Sequence, residues 1–211
     1  MARGRFITFE GGEGAGKSTQ LKRLAARLEA AGREIVATRE PGGSPGAEAI
    51  RELVLNGAAD RWSPVTETLL MYAARRDHVE RVIRPALERG AWVVCDRFAD
   101  STRAYQGAAG GTDPALIAAL ETYILQDVRP DLTLIFDFPP QSGLARAAAR
   151  PGAEMRFESK GMAFHERLRA GFLAIAEAEP ERCAVIDAQG SIEAVEAAVW
   201  AAVAARLAVD G

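Results

Sequence analysis

Two cysteines and two histidines in 211 residues leave little from which to build a disulfide framework or a zinc centre. No C-x-x-C pair and no Cys/His cluster occurs, so the common structural zinc patterns are excluded. Cys95, inside Ala91-Trp92-Val93-Val94-Cys95, and Cys183, ahead of another apolar run, read as reduced, buried thiols. Long hydrophobic runs are missing too. Residues 6–9 are far too short for a signal-peptide core. The Ala/Val-rich stretch 194–209 is interrupted by Glu196 and Arg206, so it reads as an amphipathic core helix and not as a membrane span. The cytoplasm is therefore the expected location, with no membrane partner. An excess of basic charge is also lacking. With 26 Lys and Arg against 29 Asp and Glu, the net charge of −3 argues against a dedicated nucleic-acid binder, while leaving room for a local basic pocket around one small anion. What is present, 48% hydrophobic and 26% charged residues, is ordinary globular composition. The length suits one domain over residues 1–211.

Short apolar runs at 5–10, 34–38, 91–95, 132–136 and 184–187 predict five strands. Between them apolar residues recur at three- and four-residue spacing: Leu21, Leu24 and Leu28 in one segment, Leu69, Leu70, Val79, Val82, Ile83 and Leu87 in a longer one. Ser44-Pro45 and Asp113-Pro114 read as capped helix starts, Asn56-Gly57 and Arg89-Gly90 as stops. Strands apolar throughout and separated by helices predict a parallel sheet covered on both faces, a three-layer α/β domain with right-handed crossovers. Ligands in such sheets bind beyond the carboxyl ends of the strands.

Gly11-Gly12-Glu13-Gly14-Ala15-Gly16-Lys17-Ser18 matches G-x-x-x-x-G-K-[ST], with a predicted strand before it and a predicted helix at 20–29 after it. Glycines let successive backbone N–H groups turn inward around phosphates, and the helix presents its positive end. Lys17 is suited to the β and γ phosphates, and the Ser18 hydroxyl to Mg2+. Residues 11–19, Thr19 included, form the expected ATP site. A regulatory GTPase would carry N-K-x-D, which is missing, and the chain is too short and too acidic for a motor or translocating ATPase. What remains is a small kinase with a donor loop and a separate acceptor pocket.

Four segments then carry a resemblance: Phe9-Glu10-Gly11 running through Lys17-Ser18-Thr19; Thr38-Arg39-Glu40-Pro41-Gly42-Gly43; Tyr72-Ala73-Ala74-Arg75-Arg76; and Asp96-Arg97-Phe98 with Ala104-Tyr105-Gln106-Gly107. In this order and at these distances, residues 3–190 resemble bacterial thymidylate (dTMP) kinases. The resemblance implies a P-loop kinase fold with a small lid, here at about 142–165, and the reaction ATP + dTMP giving ADP + dTDP. It implies dTMP and ATP as the small-molecule partners, and a homodimer.

Asp96 and Arg97 follow the third strand, where Arg97 can grip the acceptor phosphate with its planar fork and Asp96 can hold Mg2+. The resemblance implies the same assignment. It also implies that Arg51 touches that phosphate, that Arg75 donates to thymine, and that Thr102 and Gln106 complete the base contacts. Tyr105 would lie under the sugar and Glu13 would meet the 3′-hydroxyl. Glu40 joins the substrate-binding set. Where the family usually has a phenylalanine stacking on thymine, this chain has Met71, which can cover a ring face with less shape specificity.

The lid stretch carries Arg146, Arg150 and Arg156. Some relatives place an arginine inside the phosphate loop where this chain has Gly14, and those without it resemble this sequence in supplying one from the lid. Arg150, Arg156 or both are therefore expected at the transferred phosphoryl group, with Lys17 and Arg97 as the other catalytic cations. Two rival readings remain at this stage. A deoxynucleoside kinase would need a base, and Glu40 is its candidate. A nucleotide-binding switch would need no turnover.

Overall fold

The computed structural model describes residues 3–58, 60–149, 155–207 and 209. Five strands form one parallel sheet: β1 Phe6–Gly11, β2 Ile35–Arg39, β3 Trp92–Asp96, β4 Leu132–Asp137 and β5 Cys183–Asp187. Their spatial order is β2-β3-β1-β4-β5. Each begins or ends within one residue of the run that the sequence marks; the central strands β1, β3 and β4 are buried on both faces, while the edge strands β2 and β5 are partly exposed. The chain leaves β1 toward β2 on one side and β3 toward β4 on the other. The crevice between the carboxyl ends of β1 and β3 is therefore the switch point at which such sheets bind ligands.

The pleat divides β1 between two cores. Ile7 and Phe9 pack with Leu21, Leu24 and Leu28 of helix α1 Lys17–Ala30 and with Val195, Val199 and Val203 of the carboxyl-terminal helix. Phe6 points the other way, into a cluster with Val79, Ile83, Val93 and Phe98. Thr8 and Glu10 share that second face. The Thr8 hydroxyl meets that of Thr133 at 2.9 Å, and Glu10 is wholly buried.

Five helices lie between β2 and β4: α2 Pro45–Leu55, α3 Pro64–His78, α4 Arg84–Glu88, α5 Ala99–Thr102 and α6 Pro114–Leu125. Next come α7 Pro140–Ala148, α8 Met155–Glu158 and α9 Met162–Ala178, and α10 Ile192–Leu207 closes the described chain. Both predicted stops hold: α2 ends before Gly57 (φ 99°) and α4 before Gly90 (φ 90°). The starts differ from each other. Asp113 Oδ1 accepts from Ala115 N at 2.8 Å, a working cap. Ser44 does not cap with its side chain; its hydroxyl donates to Asp77 Oδ2 at 2.6 Å instead.

The long helical segment is not one regular helix. A π turn, Val79–Ile83, joins α3 to α4, with Arg84 N bonded to Val79 O. Pro85 explains it, since proline has no N–H to donate and its ring crowds the carbonyl four residues back. The wider turn absorbs that mismatch. A second π turn, Arg103–Ala109, continues α5. Among the described residues no helix is long and apolar enough to cross a membrane, and both cysteines are free and buried.

Candidate active site

The phosphate loop leaves β1 at Gly11, and α1 begins at Lys17, three residues earlier than the sequence pattern predicts, so Lys17, Ser18 and Thr19 form its first turn. Two glycines are forced by close approach. A Cβ on Gly11 (φ 127°) would sit 2.5 Å from Phe136 O, and one on Gly14 (φ 67°) would sit 2.1 Å from Gly143 O of α7. Lys17 Nζ donates to Gly12 O at 2.6 Å and Gly11 O at 3.2 Å. Burial, with the Arg97 charge beside it, pushes its ammonium down to about 8.

Ser18 Oγ donates to Asp96 Oδ2 at 2.5 Å, so two hard oxygens converge beside Lys17. No group of three or more His, Cys, Asp or Glu able to hold a metal occurs among the described residues. A cation at Ser18 and Asp96 would take its remaining ligands from phosphate and water, which suits Mg2+.

One cavity of 410 Å³ runs from this loop, at Glu13, Gly14, Lys17 and Ser18, to the carboxyl end of β3. Arg97 stands at the junction in a left-handed backbone conformation, φ 72°, that a non-glycine residue rarely adopts. Its guanidinium donates to Gly11 O (2.8 Å), Ser101 Oγ (3.2 Å) and Glu13 Oε1 (3.3 Å), and lies 4.9 Å from the centre of the Tyr105 ring. Glu13 Oε1 also accepts from the Tyr105 hydroxyl at 2.5 Å. Burial opposes ionisation of Glu13, but Arg97 and Lys17 outweigh it and hold the carboxyl below its ordinary value.

Thr102, Tyr105 and Gln106 share a cavity wall at spacing i, i+3, i+4 on α5 and its π turn. Gln106 Nε2 donates to the buried Glu67 Oε1 at 2.9 Å. Met71 is half-buried on α3, one turn before Arg75, and both line the cavity. Arg51 lines it as well and donates to Pro41 O at 2.6 Å, next to the cis peptide Glu40–Pro41.

Glu40 is buried with both oxygens held, Oε2 by Arg75 Nε at 2.7 Å and Oε1 by His78 Nδ1 at 2.9 Å. This corrects the rival reading that makes it a general base, since a carboxylate tied to a buried guanidinium is poorly placed to accept a substrate proton. Arg75 is buried with it, 3% exposed.

The expectation for Arg156 needs correction too. On α8 it is buried, donating to Val54 O (3.0 Å) and Ala58 O (3.2 Å) and paired with Glu67 at 2.5 Å. Those contacts tie α8 to α2 and α3 and engage the guanidinium there. Arg146 lies over the Phe138 ring at 4.2 Å. Arg150 falls outside the described residues.

The sequence reading missed several contributors. His78 sits on the buried face of α3. Phe157 of α8 packs edge-on against Tyr105 at 5.6 Å. Glu10 accepts from Phe98 N (2.7 Å) and Ser101 Oγ (2.6 Å), pinning the turn after β3, while burial and then Asp100 lift its carboxyl to about 8. A lone Glu inside an apolar strand was the available signal for Glu10.

A phosphate loop and an arginine-rich acceptor pocket sharing one cavity at the switch point of a parallel sheet define a P-loop phosphotransferase of the nucleoside monophosphate kinase class. The family model described as Thymidylate kinase matches residues 9–199. A thymidylate kinase from Caulobacter vibrioides is 69% identical over 207 residues, 98% of this chain and 99% of the relative. One from Nitrobacter winogradskyi is 58% identical, covering 95% of this chain and 88% of its own. The crystal structure of thymidylate kinase from Ehrlichia chaffeensis superposes with a TM-score of 0.77 at 35% identity, over 94% of this chain and 98% of that one. The chain belongs to the thymidylate kinase family.

Proposed function

We propose that this protein transfers the γ-phosphoryl group of ATP to dTMP, giving ADP and dTDP. One observation carries the reading: a single cavity runs from the phosphate loop to Arg75, with Arg97 between them. In this reading donor phosphates lie at Lys17, the acceptor phosphate at Arg97 and Arg51, the sugar by Glu13 and Tyr105, and the base against Met71, Arg75, Thr102 and Gln106, all of which line that cavity. The nucleophile is a phosphate oxygen, ionised because its second pKa is about 6. Catalysis then reduces to positioning and charge neutralisation, and the residues supply both. Mg2+, which Ser18 and Asp96 would hold, supplies further neutralisation of the donor phosphates. Of the two lid arginines that the sequence offers, Arg150 and Arg156, this reading takes Arg150, because Arg156 is engaged with Val54, Ala58 and Glu67.

A homodimer is part of the proposal. Val65, Leu69 and Ala73 form an exposed apolar stripe on α3, and Tyr123 lies exposed on the neighbouring α6. A cytoplasmic location completes it, supported by the two free, buried thiols.

A coupled ADP-release assay decides the reaction. Turnover with dTMP and none with thymidine is the expected result. Rapid turnover of thymidine would overturn the reading in favour of a nucleoside kinase, and no turnover with either would leave a switch.

A further inference from the structure

His78 and Glu40 carry no catalytic step above, yet both are buried, His78 completely. They form a line. Thr38 Oγ1 meets His78 Nε2 at 2.7 Å, His78 Nδ1 meets Glu40 Oε1 at 2.9 Å, and Glu40 Oε2 accepts from Arg75 Nε at 2.7 Å. The ring nitrogen facing the carboxylate is the donor, and Nε2 faces the Thr38 hydroxyl. Gly43 makes room for the line: at φ 89°, a Cβ there would sit 2.4 Å from His78 Nε2 and 2.5 Å from Thr38 Oγ1. Beyond Glu40, Arg75 Nη1 donates to Thr102 Oγ1 at 3.1 Å and Nη2 to Phe98 O at 2.9 Å. Three of its five N–H groups are thus committed among the described residues, and the guanidinium cannot rotate without breaking buried bonds. Its remaining donors belong to a side chain that lines the cavity wall.

We propose that His78 and Glu40 are positioning residues that lock the Arg75 fork, so that the preference of this base-reading arginine for a carbonyl oxygen over an amino group depends on them. The inference rests on the dTMP reading. Arg75 has donors only, so a keto oxygen satisfies it, whereas the cytosine amino group opposes donor to donor. A mobile guanidinium could swing away from that clash; a locked one cannot. Discrimination then depends on residues that act through Arg75.

The test compares dTMP with dCMP as acceptors at saturating MgATP. In Glu40→Gln the KM for dTMP is expected to rise about 10- to 100-fold, the scale of one lost buried polar partner. The dTMP/dCMP ratio of kcat/KM is expected to fall at least about tenfold, while the KM for ATP and the limiting kcat move less than about threefold. His78→Phe shifts the same ratio in the same direction, and His78→Gln, whose amide can still donate to Glu40, restores most of it. Thr38→Val, nearly isosteric, gives a smaller shift and serves if the buried-charge variants fail to fold. An unchanged dTMP/dCMP ratio in the folded variants, or equal changes for both nucleotides and ATP, overturns the proposal. Failure of the wild type to use dTMP would instead overturn the reading beneath it.

Discussion

Lys17 is the residue whose charge state bears most directly on donor binding. With its ammonium near 8 in the free protein, it is partly neutral at mildly alkaline pH. Donor phosphates favour the charged form, so ATP binding takes up a proton as pH rises through 8 and takes up almost none at pH 6. Affinity for ATP is therefore expected to fall with rising pH above 8. Titration calorimetry at pH 8.5 in two buffers of different ionisation heat measures this uptake, and identical apparent enthalpies would contradict it. The two lid arginines separate at the same scale. Arg150→Ala is expected to lower kcat by about 10³-fold or more with little change in dTMP affinity. Arg156→Ala strands the buried Glu67 carboxylate, with a local cost of roughly 3–5 kcal/mol, read as faster hydrogen exchange over α8. A near-normal kcat in Arg150→Ala would remove it from the mechanism. Arg97 and Lys17 are legible from sequence because their motifs are local. His78 is not, since its partners lie 38 and 40 residues away and a single His on a helix face looks like any other core residue.

At the scale of elements, the phosphate loop and α7 meet backbone to backbone. A Cβ on Gly143 would sit 2.3 Å from Glu13 O, the mirror of the approach made by Gly14. Packing as well as chemistry thus keeps position 14 a glycine in this chain. Gly14→Arg is expected to lower the melting temperature by several degrees and raise the KM for ATP, with no gain in kcat even when Arg150 is also replaced. Rescue of an Arg150→Ala variant by Gly14→Arg would show that α7 can give way. The five strands, the cap at Asp113 and both helix stops are legible because each rests on a short run of chemistry. The π turns are not. One answers to Pro85 within a long apolar pattern, and the other, Arg103–Ala109, leaves no mark in composition or period.

For the whole molecule, the apolar stripe of α3 beside α6 points to a second copy. Sedimentation equilibrium at micromolar concentration is expected to give twice the 22.5 kDa chain mass, and Leu69→Glu to shift it toward one chain. A wild-type protein that stays monomeric would end that proposal. Architecture at this scale was readable, since an alternation of apolar strands and helices admits few topologies. The balance of charges that braces it was not. Asp100 accepts from both terminal nitrogens of Arg182, at 2.7 and 2.8 Å, while Arg103 bonds Glu121 and Glu179. Hydrogen bonds from Arg182 hold the Glu179 carboxyl down to about 2.

That brace has a consequence for how the protein tolerates change. Asp100 and Arg103 flank the start of the acceptor wall, so Arg182 and Glu179, in the connection between α9 and β5, hold one end of the surface that carries Thr102, Tyr105 and Gln106. Inheritance would treat these two outlying charges as though they touched substrate: a scan of single substitutions would find them intolerant together with the pocket, and drift at one would be followed by compensation at the other.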